Sequence, residues 1–183
     1  MSGLWVFVCG PSGAGKDSVL GWAAQALGHR QDIVFARRLV TRAAHPGSDH
    51  DEVCPEQFAR LMDSDGLAWR WQAHGFQYGI EAHYTEQVAA GRVVVVNGSR
   101  EHVHTLQTAE QLRVVQIEVD AVQLAARLAQ RNRDTPQAVA RRLARNTLFP
   151  NLQAHCTIVN QSELADAGRQ LVNYLVGGTR LPL

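Results

Sequence analysis

The sequence predicts an α/β fold with a mainly parallel, five-stranded sheet flanked by helices. Three observations support this prediction. The chain has 183 residues, a length that suits one compact domain. Five short apolar runs rich in β-forming residues alternate with segments of helical spacing, as in folds built from β-α-β units. The first run is followed by a glycine-rich turn and a helix, the order in which such a unit begins.

The elements can be predicted in order along the chain. The first apolar run is continuous, which is typical of a strand buried on both faces of a parallel sheet. The helix after the glycine-rich turn has apolar residues at Leu20, Ala24 and Leu27, and Gly28 predicts its end. The predicted strands are residues 4–9, 33–36, 93–96, 114–119 and 157–159, and a final helix is predicted near 162–176.

Two segments interrupt this alternation, and segments this long within a compact domain are usually functional. Residues 37–90 contain Trp69 and Trp71 in a hairpin-like patch and are expected to form an inserted sub-domain. Residues 127–145 are rich in arginine and are expected to form a lid. We therefore predict a single domain over residues 1–183, with a core of 1–36 and 91–183.

The composition argues against several classes of function. Eighteen basic residues against 17 acidic ones give a net charge of +1, whereas proteins held to nucleic acid by charge are strongly basic. No apolar run approaches the ~20 residues of a membrane-spanning helix. The three cysteines are scattered along the chain, which predicts free thiols in a reducing compartment. We expect a cytoplasmic protein with no nucleic-acid or membrane partner.

A glycine-rich loop with the spacing of a Walker A motif follows the first predicted strand. It ends in Lys16, the only lysine of the chain, and the lysine of this motif reaches the β- and γ-phosphates of a nucleotide. The glycines let backbone N–H groups converge on phosphate oxygens. With 15 glycines and one lysine in 183 residues, this spacing arises by chance in about 1% of sequences. The predicted ATP-binding residues here are Gly10, Pro11, Ser12, Gly13, Ala14, Gly15, Lys16, Asp17 and Ser18.

The residue after Lys16 departs from the motif. That position usually holds a Ser or Thr whose hydroxyl binds Mg²⁺, but here it is Asp17, followed by Ser18. The second acid of such sites usually ends a core strand, and here the strand at 93–96 is followed by Asn97. We hypothesise that Asp17 binds Mg²⁺ and supplies the charge that Asn97 lacks. The alternative is that Asp17 only stabilises the first turn of the helix.

Over nearly its whole length the chain resembles the guanylate-kinase-type nucleoside monophosphate kinases, which are P-loop NTPases. The glycine-rich loop, Thr41-Arg42, and residues 74–79 (HGFQYG) resemble motifs of that family. The resemblance implies that the insertion binds the phosphoryl acceptor, with Arg42 and Tyr78 on its phosphate. It also implies three lid arginines and a residue near the adenine, which are Arg127, Arg131, Arg142 and Asn160.

The positions that would read guanine differ from that family. His45 stands where the family has a second arginine, Trp69 replaces the glutamate that grips the ring, and Ile80 replaces a hydroxyl. A site built to hydrogen-bond guanine loses much of its discrimination without those groups. Because Arg42 and Tyr78 remain, we expect the acceptor to be a phosphorylated small molecule other than GMP.

A closer resemblance is to the ribose 1,5-bisphosphate phosphokinases. It rests on Lys16-Asp17-Ser18, on residues 41–45 (TRAAH), on His50-Asp51-Glu52, on residues 71–79 and on residues 96–100 (VNGSR). It implies an enzyme of phosphonate breakdown that uses ATP and Mg²⁺ to convert ribose 1,5-bisphosphate to 5-phosphoribosyl 1-diphosphate. The candidate substrate-binding residues are Arg42, Trp69, Tyr78, Asn97 and Arg100, and the candidate catalytic residues are Lys16, Arg127, Arg131 and Arg142.

Two alternative functions remain open at this point. The first is a guanylate or other nucleoside monophosphate kinase with altered base recognition, against which Trp69 and Ile80 argue. The second is a non-catalytic binding module of guanylate-kinase type, which would be expected to lose the glycine-rich loop that this chain retains. The sequence is compatible with either a monomer or a homodimer.

Other side chains have competing interpretations. Trp69 and Trp71 lie on one side of a predicted strand and belong either to the core or to a ligand platform. His102 and His104 are expected to be exposed rather than to bind a metal, because no third ligand follows at a suitable spacing. Residues 49–52 (DHDE) are expected to form a solvated loop, with a role in ordering Mg²⁺ or sugar hydroxyls as the alternative.

Overall fold

The computed structural model describes residues 3–45, 48–106, 111–130 and 152–178, and it includes their side chains except at 127–130. The strands are β1 (Leu4–Cys9), β2 (Ile33–Phe35), β3 (Arg38–Val40), β4 (His50–Glu52), β5 (Leu67–Ala73), β6 (Phe76–Glu81), β7 (Val93–Asn97), β8 (Leu112–Glu118) and β9 (Cys156–Val159). The helices are α1 (Lys16–Ala26), α2 (Pro55–Asp63), α3 (His83–Ala89), α4 (Arg100–Leu106), α5 (Ala121–Gln130) and α6 (Leu164–Asn173), and a π-helical turn (Tyr174–Gly178) follows α6.

Five parallel strands form the main sheet in the order β2-β7-β1-β8-β9. This arrangement confirms the predicted α/β fold, and each predicted strand segment lies in this sheet with its ends shifted by at most two residues. Every residue of the central strand β1 is buried, since helices and the second sheet cover its two faces. The carboxyl end of β1 lies beside those of its neighbours, with Val8 paired to Asn97 and Cys9 to Gln116.

Alternate residues of β1 belong to two different apolar clusters, because successive side chains of a strand point to opposite faces. Val6 and Val8 pack in a cluster with residues of α1 and α6. In this layer Gly168 of α6 lies against Trp22 of α1, where a Cβ would collide with the indole ring. Trp5 and Phe7 pack in the second cluster, which covers the other face of the main sheet.

The second sheet is built from residues 38–81 and has the strand order β4-β3-β6-β5. Strands β5 and β6 form a hairpin in which Ala73 pairs with Phe76. Its two turn residues, His74 (φ 54°) and Gly75 (φ 80°), are both left-handed, as a tight two-residue hairpin turn requires. Residues such as Trp71 and Ile80 of this sheet join the cluster around Phe7, so the two sheets share one core.

The part of the chain described by the structure contains no helix long and apolar enough to cross a membrane. It includes all three cysteines, and each is a free thiol. Cys9 is buried at the end of β1, and burial raises the pKa of its thiol to about 12, against the opposing charges of Lys16 and Arg100.

Candidate active site

The glycine-rich loop connects the carboxyl end of β1 to the first turn of α1. Gly13 (φ 97°) and Gly15 (φ 82°) adopt left-handed backbone conformations that other residues adopt only with strain. Gly10 passes so close to Ile117 that a Cβ would collide with its carbonyl oxygen. The loop is closed by a hydrogen bond from the Ala14 N–H to the Pro11 carbonyl, 3.1 Å long. Residues 10–15 thus form the compact turn that a phosphate-binding loop requires.

The ammonium group of Lys16 turns back over this loop. Its Nζ donates hydrogen bonds to the carbonyls of Gly10 (3.0 Å) and Pro11 (3.2 Å). Burial lowers the pKa of Lys16, Asp17 opposes that effect, and the positive charges of Arg38 and Arg100 add to it. Three cations therefore lie close enough to influence one another beside the loop, which is an arrangement that attracts a polyanion.

Asn160 fixes the loop from the far edge of the site. It follows β9, is 5% exposed, and its Nδ2 donates a 2.8 Å hydrogen bond to the carbonyl of Ala14. Its backbone N–H donates to the carbonyl of Glu118 (2.7 Å). These contacts hold the loop in position relative to β8 and β9, and a direct contact of Asn160 with ATP stays a prediction.

Asp17, which is predicted to supply the charge that Asn97 lacks, is in direct contact with Asn97. Nδ2 of Asn97 donates a 2.7 Å hydrogen bond to Oδ1 of Asp17. The same Nδ2 donates a 2.6 Å hydrogen bond to Oδ2 of Asp49, which lies just before β4. Asn97 is 6% exposed, and its Oδ1 is buried without a hydrogen-bond partner in the described residues.

Asp49 is also ion-paired with Arg38 of β3. Burial alone would raise the pKa of Asp49, but the charge of Arg38 and the hydrogen bonds from Asn97 and Arg38 bring that pKa below its usual value. Asp49 is therefore held as a carboxylate. Residues 49–52 were expected to form a solvated loop, and that expectation is wrong for residues 50–52, which form β4, with His50 only 3% exposed. Asp49 lies just before the strand, and its side chain is 33% exposed. Asp51 instead forms an exposed ion pair with Arg37.

The chemistry of these side chains fits a magnesium ion. Mg²⁺ prefers oxygen ligands and usually takes one or two carboxylates, with waters and substrate phosphates completing its coordination. Asp17 supplies a carboxylate at the start of α1, next to Lys16, and Asn97 presents a buried amide oxygen that lacks a partner among the described residues. That Asp17 binds Mg²⁺ stays a prediction.

A stack of flat groups connects Arg38 to α4 across the second sheet. The guanidinium carbon of Arg38 lies 5.8 Å from the centre of the Tyr78 ring. The Tyr78 ring stacks on Trp71 with centroids 5.4 Å apart, and Trp71 stacks on His102 at 4.8 Å. Tyr78 is only 5% exposed. Its ring is therefore held between a cation and an aromatic ring, and a contact of its hydroxyl with substrate phosphate stays a prediction.

His102 was expected to be exposed, and that expectation is wrong. Its ring stacks on Trp71 and meets the edges of Phe7 and Trp69. Burial lowers the pKa of His102 from 6.5 to about 4, so the ring is neutral at pH 7. Its neighbour His104, two residues along α4, is exposed.

Trp69 packs against the central strand of the main sheet. Its ring meets those of Trp5 and Phe7 edge to face, at 5.6 and 5.5 Å. Its indole nitrogen is buried without a hydrogen-bond partner in the described part of the chain. These contacts give Trp69 a packing role, and a direct contact with substrate stays a prediction.

The two candidate arginines on the acceptor side occupy different environments. Arg42 is exposed, and its guanidinium carbon lies 5.9 Å from the centre of the Phe76 ring. The preceding residue, Thr41, is tied to Gln77 by two hydrogen bonds, which anchors this end of β3. Arg100 is half-buried at the first position of α4, where its charge acts on Lys16 and Cys9.

The predicted lid falls mostly outside the described residues. Arg131 and Arg142 lie outside them, and Arg127 lies in α5 at a position whose side chain is not described. Their roles therefore stay predictions. Conversely, the structure brings Arg38 and Asp49 to the site, although neither was predicted. The one indication in the sequence was the acidic character of residues 49–52, for which a role in binding Mg²⁺ was an alternative.

Sequence comparison gives the family of the chain, although no protein-family model matches it. A ribose 1,5-bisphosphate phosphokinase PhnN from Acidiphilium cryptum is 40% identical, over 99% of this chain and 97% of that protein. The protein of the same name from Burkholderia pseudomallei is 40% identical, over 96% of both chains. The chain belongs to this family. It is therefore an enzyme of the kinase class that acts on a small molecule, and the resemblance noted from its motifs is confirmed.

Solved structures support the fold of this family member. A guanylate kinase from Anaplasma phagocytophilum matches with a TM-score of 0.69 and 18% identity, covering 97% of this chain and 87% of that chain. A gluconokinase from Sinorhizobium meliloti matches with a TM-score of 0.51 and 22% identity, covering 94% and 91%. At these identities the likeness concerns the fold alone, and it supports the predicted α/β fold with a five-stranded parallel sheet.

Proposed function

We propose that this chain transfers the γ-phosphoryl group of ATP to the 1-phosphate of ribose 1,5-bisphosphate, as part of phosphonate breakdown. The bond between the γ-phosphorus and the β,γ-bridging oxygen breaks, and a new bond forms to an oxygen of the 1-phosphate. The products are ADP and 5-phosphoribosyl 1-diphosphate. Because the attacking oxygen is already ionised, the reaction needs no general base; it needs in-line placement and charge neutralisation.

The observation that carries this proposal is full-length similarity, at about 40% identity, to relatives that bear this activity in their name. The intact phosphate loop supports it, because a binding module without catalysis would not need Lys16 or the left-handed glycines around it. The non-catalytic alternative is therefore disfavoured.

On the donor side, residues Gly10 to Ser18 would hold the phosphates of ATP. Backbone N–H groups of the loop and the start of α1 favour negative charge, and Lys16 would leave the Gly10 and Pro11 carbonyls to reach the β- and γ-phosphates. Mg²⁺, held by Asp17, would neutralise the charge on those phosphates when bound. Asn160 supports this site through Ala14.

On the acceptor side, the second sheet would present the sugar bisphosphate to the loop. Arg42, Arg100 and the hydroxyl of Tyr78 are proposed to bind its phosphates, because a guanidinium offers planar, paired donors to phosphate oxygens. Asn97 and Trp69 complete the proposed acceptor site. The residues of 37–90 would thus act as an acceptor-binding insertion in a single domain.

The lid would close over the transferring group. Arg127, Arg131 and Arg142 are proposed to neutralise charge on the γ-phosphoryl group as it moves. An arginine in this role accelerates phosphoryl transfer by ~10³–10⁵-fold.

Two observations disfavour the guanylate-kinase alternative. Ile80 stands where that family has a hydroxyl for guanine, and it is fully buried in the shared core. Trp69 stands where the ring-binding glutamate would be, and its ring packs on Trp5 and Phe7. An apolar side chain at each position leaves two polar edges of guanine without partners. The missing hydrogen bonds greatly reduce the ability of the site to select guanine over other acceptors.

The free thiols support the further proposal of a cytoplasmic location. We propose no nucleic-acid or membrane partner, in line with the net charge of +1.

The experiment that tests this function measures ADP release from ATP with ribose 1,5-bisphosphate and, in parallel, with GMP. Lys16→Met, which removes the ammonium group but keeps the chain length, provides the background rate. We expect turnover with ribose 1,5-bisphosphate that falls by at least ~10³-fold in Lys16→Met. Turnover with GMP alone would overturn the assignment, and no turnover with either acceptor would favour the non-catalytic module.

A further inference from the structure

We propose that Asp49 is a second carboxylate of the magnesium site and that the cation binds between Asp17 and Asp49, with the amide of Asn97 as a third ligand. The sequence hypothesis placed Mg²⁺ on Asp17, and it considered residues 49–52 only as an alternative without naming a ligand among them. The new site rests on the proposed use of ATP and Mg²⁺, but it does not depend on the identity of the acceptor.

Three separate elements bring these side chains to one point. Asp17 lies in the first turn of α1, Asn97 ends β7, and Asp49 precedes β4. One atom, Asn97 Nδ2, lies 2.7 Å from the carboxylate of Asp17 and 2.6 Å from that of Asp49. The two carboxylate oxygens are therefore within two hydrogen-bond lengths of each other. Opposite ligands of an octahedral Mg²⁺ are ~4 Å apart, so small side-chain rotations would bring both oxygens onto one cation.

The amide oxygen of Asn97 provides a second observation that points to a cation site. Its Oδ1 is buried, in a side chain that is 6% exposed, and accepts no hydrogen bond from any residue that the structure describes. A buried polar atom without a partner is costly. A half-turn of the amide exchanges Nδ2 and Oδ1. It would place an oxygen between the two carboxylates, and three converging oxygens make a site for a hard cation.

This arrangement explains why β7 ends in an amide rather than in the usual acid. Asp17 of α1 and Asp49, which precedes β4, already supply two negative charges. An acid at position 97 would add a third carboxylate and remove the N–H group that now holds the other two. Asn97 can donate to both acids without the cation and accept from the cation when it binds.

The site is not a preformed metal cage. Within the described residues, no group of three or more His, Cys, Asp and Glu side chains is arranged to hold a metal ion. Two carboxylates and one amide are consistent with Mg²⁺ sites in which the protein supplies only a few ligands and the nucleotide phosphates supply others. We therefore expect weak binding of the cation alone and stronger binding in the presence of nucleotide.

Asp49 would also connect the cation to the acceptor sheet. Its carboxylate is ion-paired with Arg38 of β3, and Arg38 lies over the ring of Tyr78. Binding of ATP and Mg²⁺ at the donor site would thereby hold β3 in place, in the sheet at which the acceptor is proposed to bind.

The test uses Mn²⁺ as the probe, because its unbound form is counted directly by electron paramagnetic resonance. The full-length protein is saturated with a non-hydrolysable ATP analogue, adenylyl imidodiphosphate, and titrated with Mn²⁺. We expect Asp49→Asn to weaken Mn²⁺ binding at least ~10-fold, with each variant kept saturated with the analogue at a concentration set by its own affinity. The matched control is Asp51→Asn, on the adjacent strand β4, whose carboxylate pairs with Arg37 at the surface. Unchanged Mn²⁺ affinity in Asp49→Asn, or an equal loss in Asp51→Asn, would overturn the proposal.

Asn97→Asp gives an independent test that uses thermal unfolding. In EDTA its Tm should lie below that of the wild type, because three carboxylates then meet without the amide N–H group that bridges Asp17 and Asp49. Mn²⁺ with the analogue should raise the Tm of this variant by more than it raises the wild-type Tm. Equal shifts in both proteins would contradict the site. Neither measurement contains the acceptor, so a wrong acceptor and a wrong metal site give distinguishable failures.

Discussion

Asp17 occupies the position at which related phosphate loops carry a hydroxyl. The contacts of Asp17 distinguish between two interpretations, which are binding of Mg²⁺ and stabilisation of the first turn of α1. The N-cap of α1 is Gly15, without a side-chain cap, whereas the Asp17 carboxylate is bound by Asn97 at 2.7 Å. The side chain thus contacts the carboxyl edge of the main sheet, where the phosphates are proposed to lie, and stabilisation of the first turn is at most part of its role.

Replacement of Asp17 by Ser tests this role. We expect Asp17→Ser to lower Mg²⁺-dependent kcat/KM for ATP by at least ~100-fold, because a serine at this position restores the hydroxyl but removes the negative charge that Asn97 cannot supply. The measurement is ADP release as a function of Mg²⁺ concentration. Asp166→Ser is the matched control, since Asp166 lies in the first turn of α6 and pairs with Arg169 on the surface. Near-normal turnover of Asp17→Ser would contradict the proposed role.

The residues of the site differ in how far the sequence could predict them. The loop was predictable because residues 10–18 are contiguous and their spacing reflects one local mechanism. The sequence linked Asp17 to Asn97 only through charge, with Asp17 supplying the acid that Asn97 lacks, and their direct contact was not predicted. Arg38 and Asp49 were not predicted, because their positions depend on how the second sheet packs, and no local pattern reports a contact between residues 48 positions apart.

At the scale of elements, α4 is attached to the second sheet through His102. The imidazole stacks on Trp71 of β5 and lies at the edges of Phe7 and Trp69. Arg100, a proposed acceptor ligand, begins the same helix. The packing of His102 therefore orients a helix that carries a candidate phosphate contact.

The half-buried imidazole of His102 predicts a loss of stability in acid. The pKa of His102 is about 4 in the folded protein and 6.5 in the absence of burial. Above pH 6.5 both states are neutral and His102 adds no pH dependence. Between pH 6.5 and 4 the unfolded state binds a proton that the folded state does not, so the free energy of unfolding falls by about 1.4 kcal/mol per pH unit.

His102→Phe keeps an aromatic ring on Trp71 and removes this titration. Between pH 7 and pH 4.5 the variant should lose about 2 kcal/mol less stability than the wild type, as measured by urea unfolding at each pH. His104→Phe, on the exposed side of α4, should keep the wild-type loss. An identical pH profile for His102→Phe and the wild type would show that the imidazole is not protected from protonation.

Helices α1 and α6 provide a matched pair of glycines. A Cβ at Gly168 would collide with the ring of Trp22, whereas a Cβ at Gly21 would meet nothing within 4 Å. We expect Gly168→Ala to destabilise the fold by about 1–3 kcal/mol through overpacking. Gly21→Ala should stabilise it by about 0.5–1 kcal/mol through reduced backbone entropy of the unfolded chain. Thermal unfolding of the two variants measures both effects, and a change of the same sign would contradict the described packing.

The elements also show the limit of prediction from periodicity. The main-sheet strands were predictable because burial on both faces demands continuous apolar runs, as in the fully buried β1. Strands β3 and β4 were not, because each has three residues, and β4 reads His50-Asp51-Glu52. Such a segment is extended only because β3 pairs with it, and β3 in turn pairs with β6.

At the scale of the whole molecule, the site lies where the two sheets meet. The carboxyl ends of β1 and β7 supply the loop and Asn97, and the second sheet supplies Arg38 and Asp49. The net charge of +1 is small, yet Lys16, Arg38 and Arg100 lie close enough to affect one another. Charge is therefore concentrated at the site, as expected for a protein that binds small anions rather than a nucleic-acid backbone.

A single competition reaction tests the proposed function most directly. Equimolar ribose 1,5-bisphosphate and GMP are incubated with limiting ATP and Mg²⁺, and ³¹P nuclear magnetic resonance identifies the diphosphate that forms. The ratio of products equals the ratio of kcat/KM for the two acceptors. We predict that 5-phosphoribosyl 1-diphosphate is formed in at least ~100-fold excess over GDP, because guanine would lack partners at Trp69 and Ile80. GDP as the main product would contradict the proposed function.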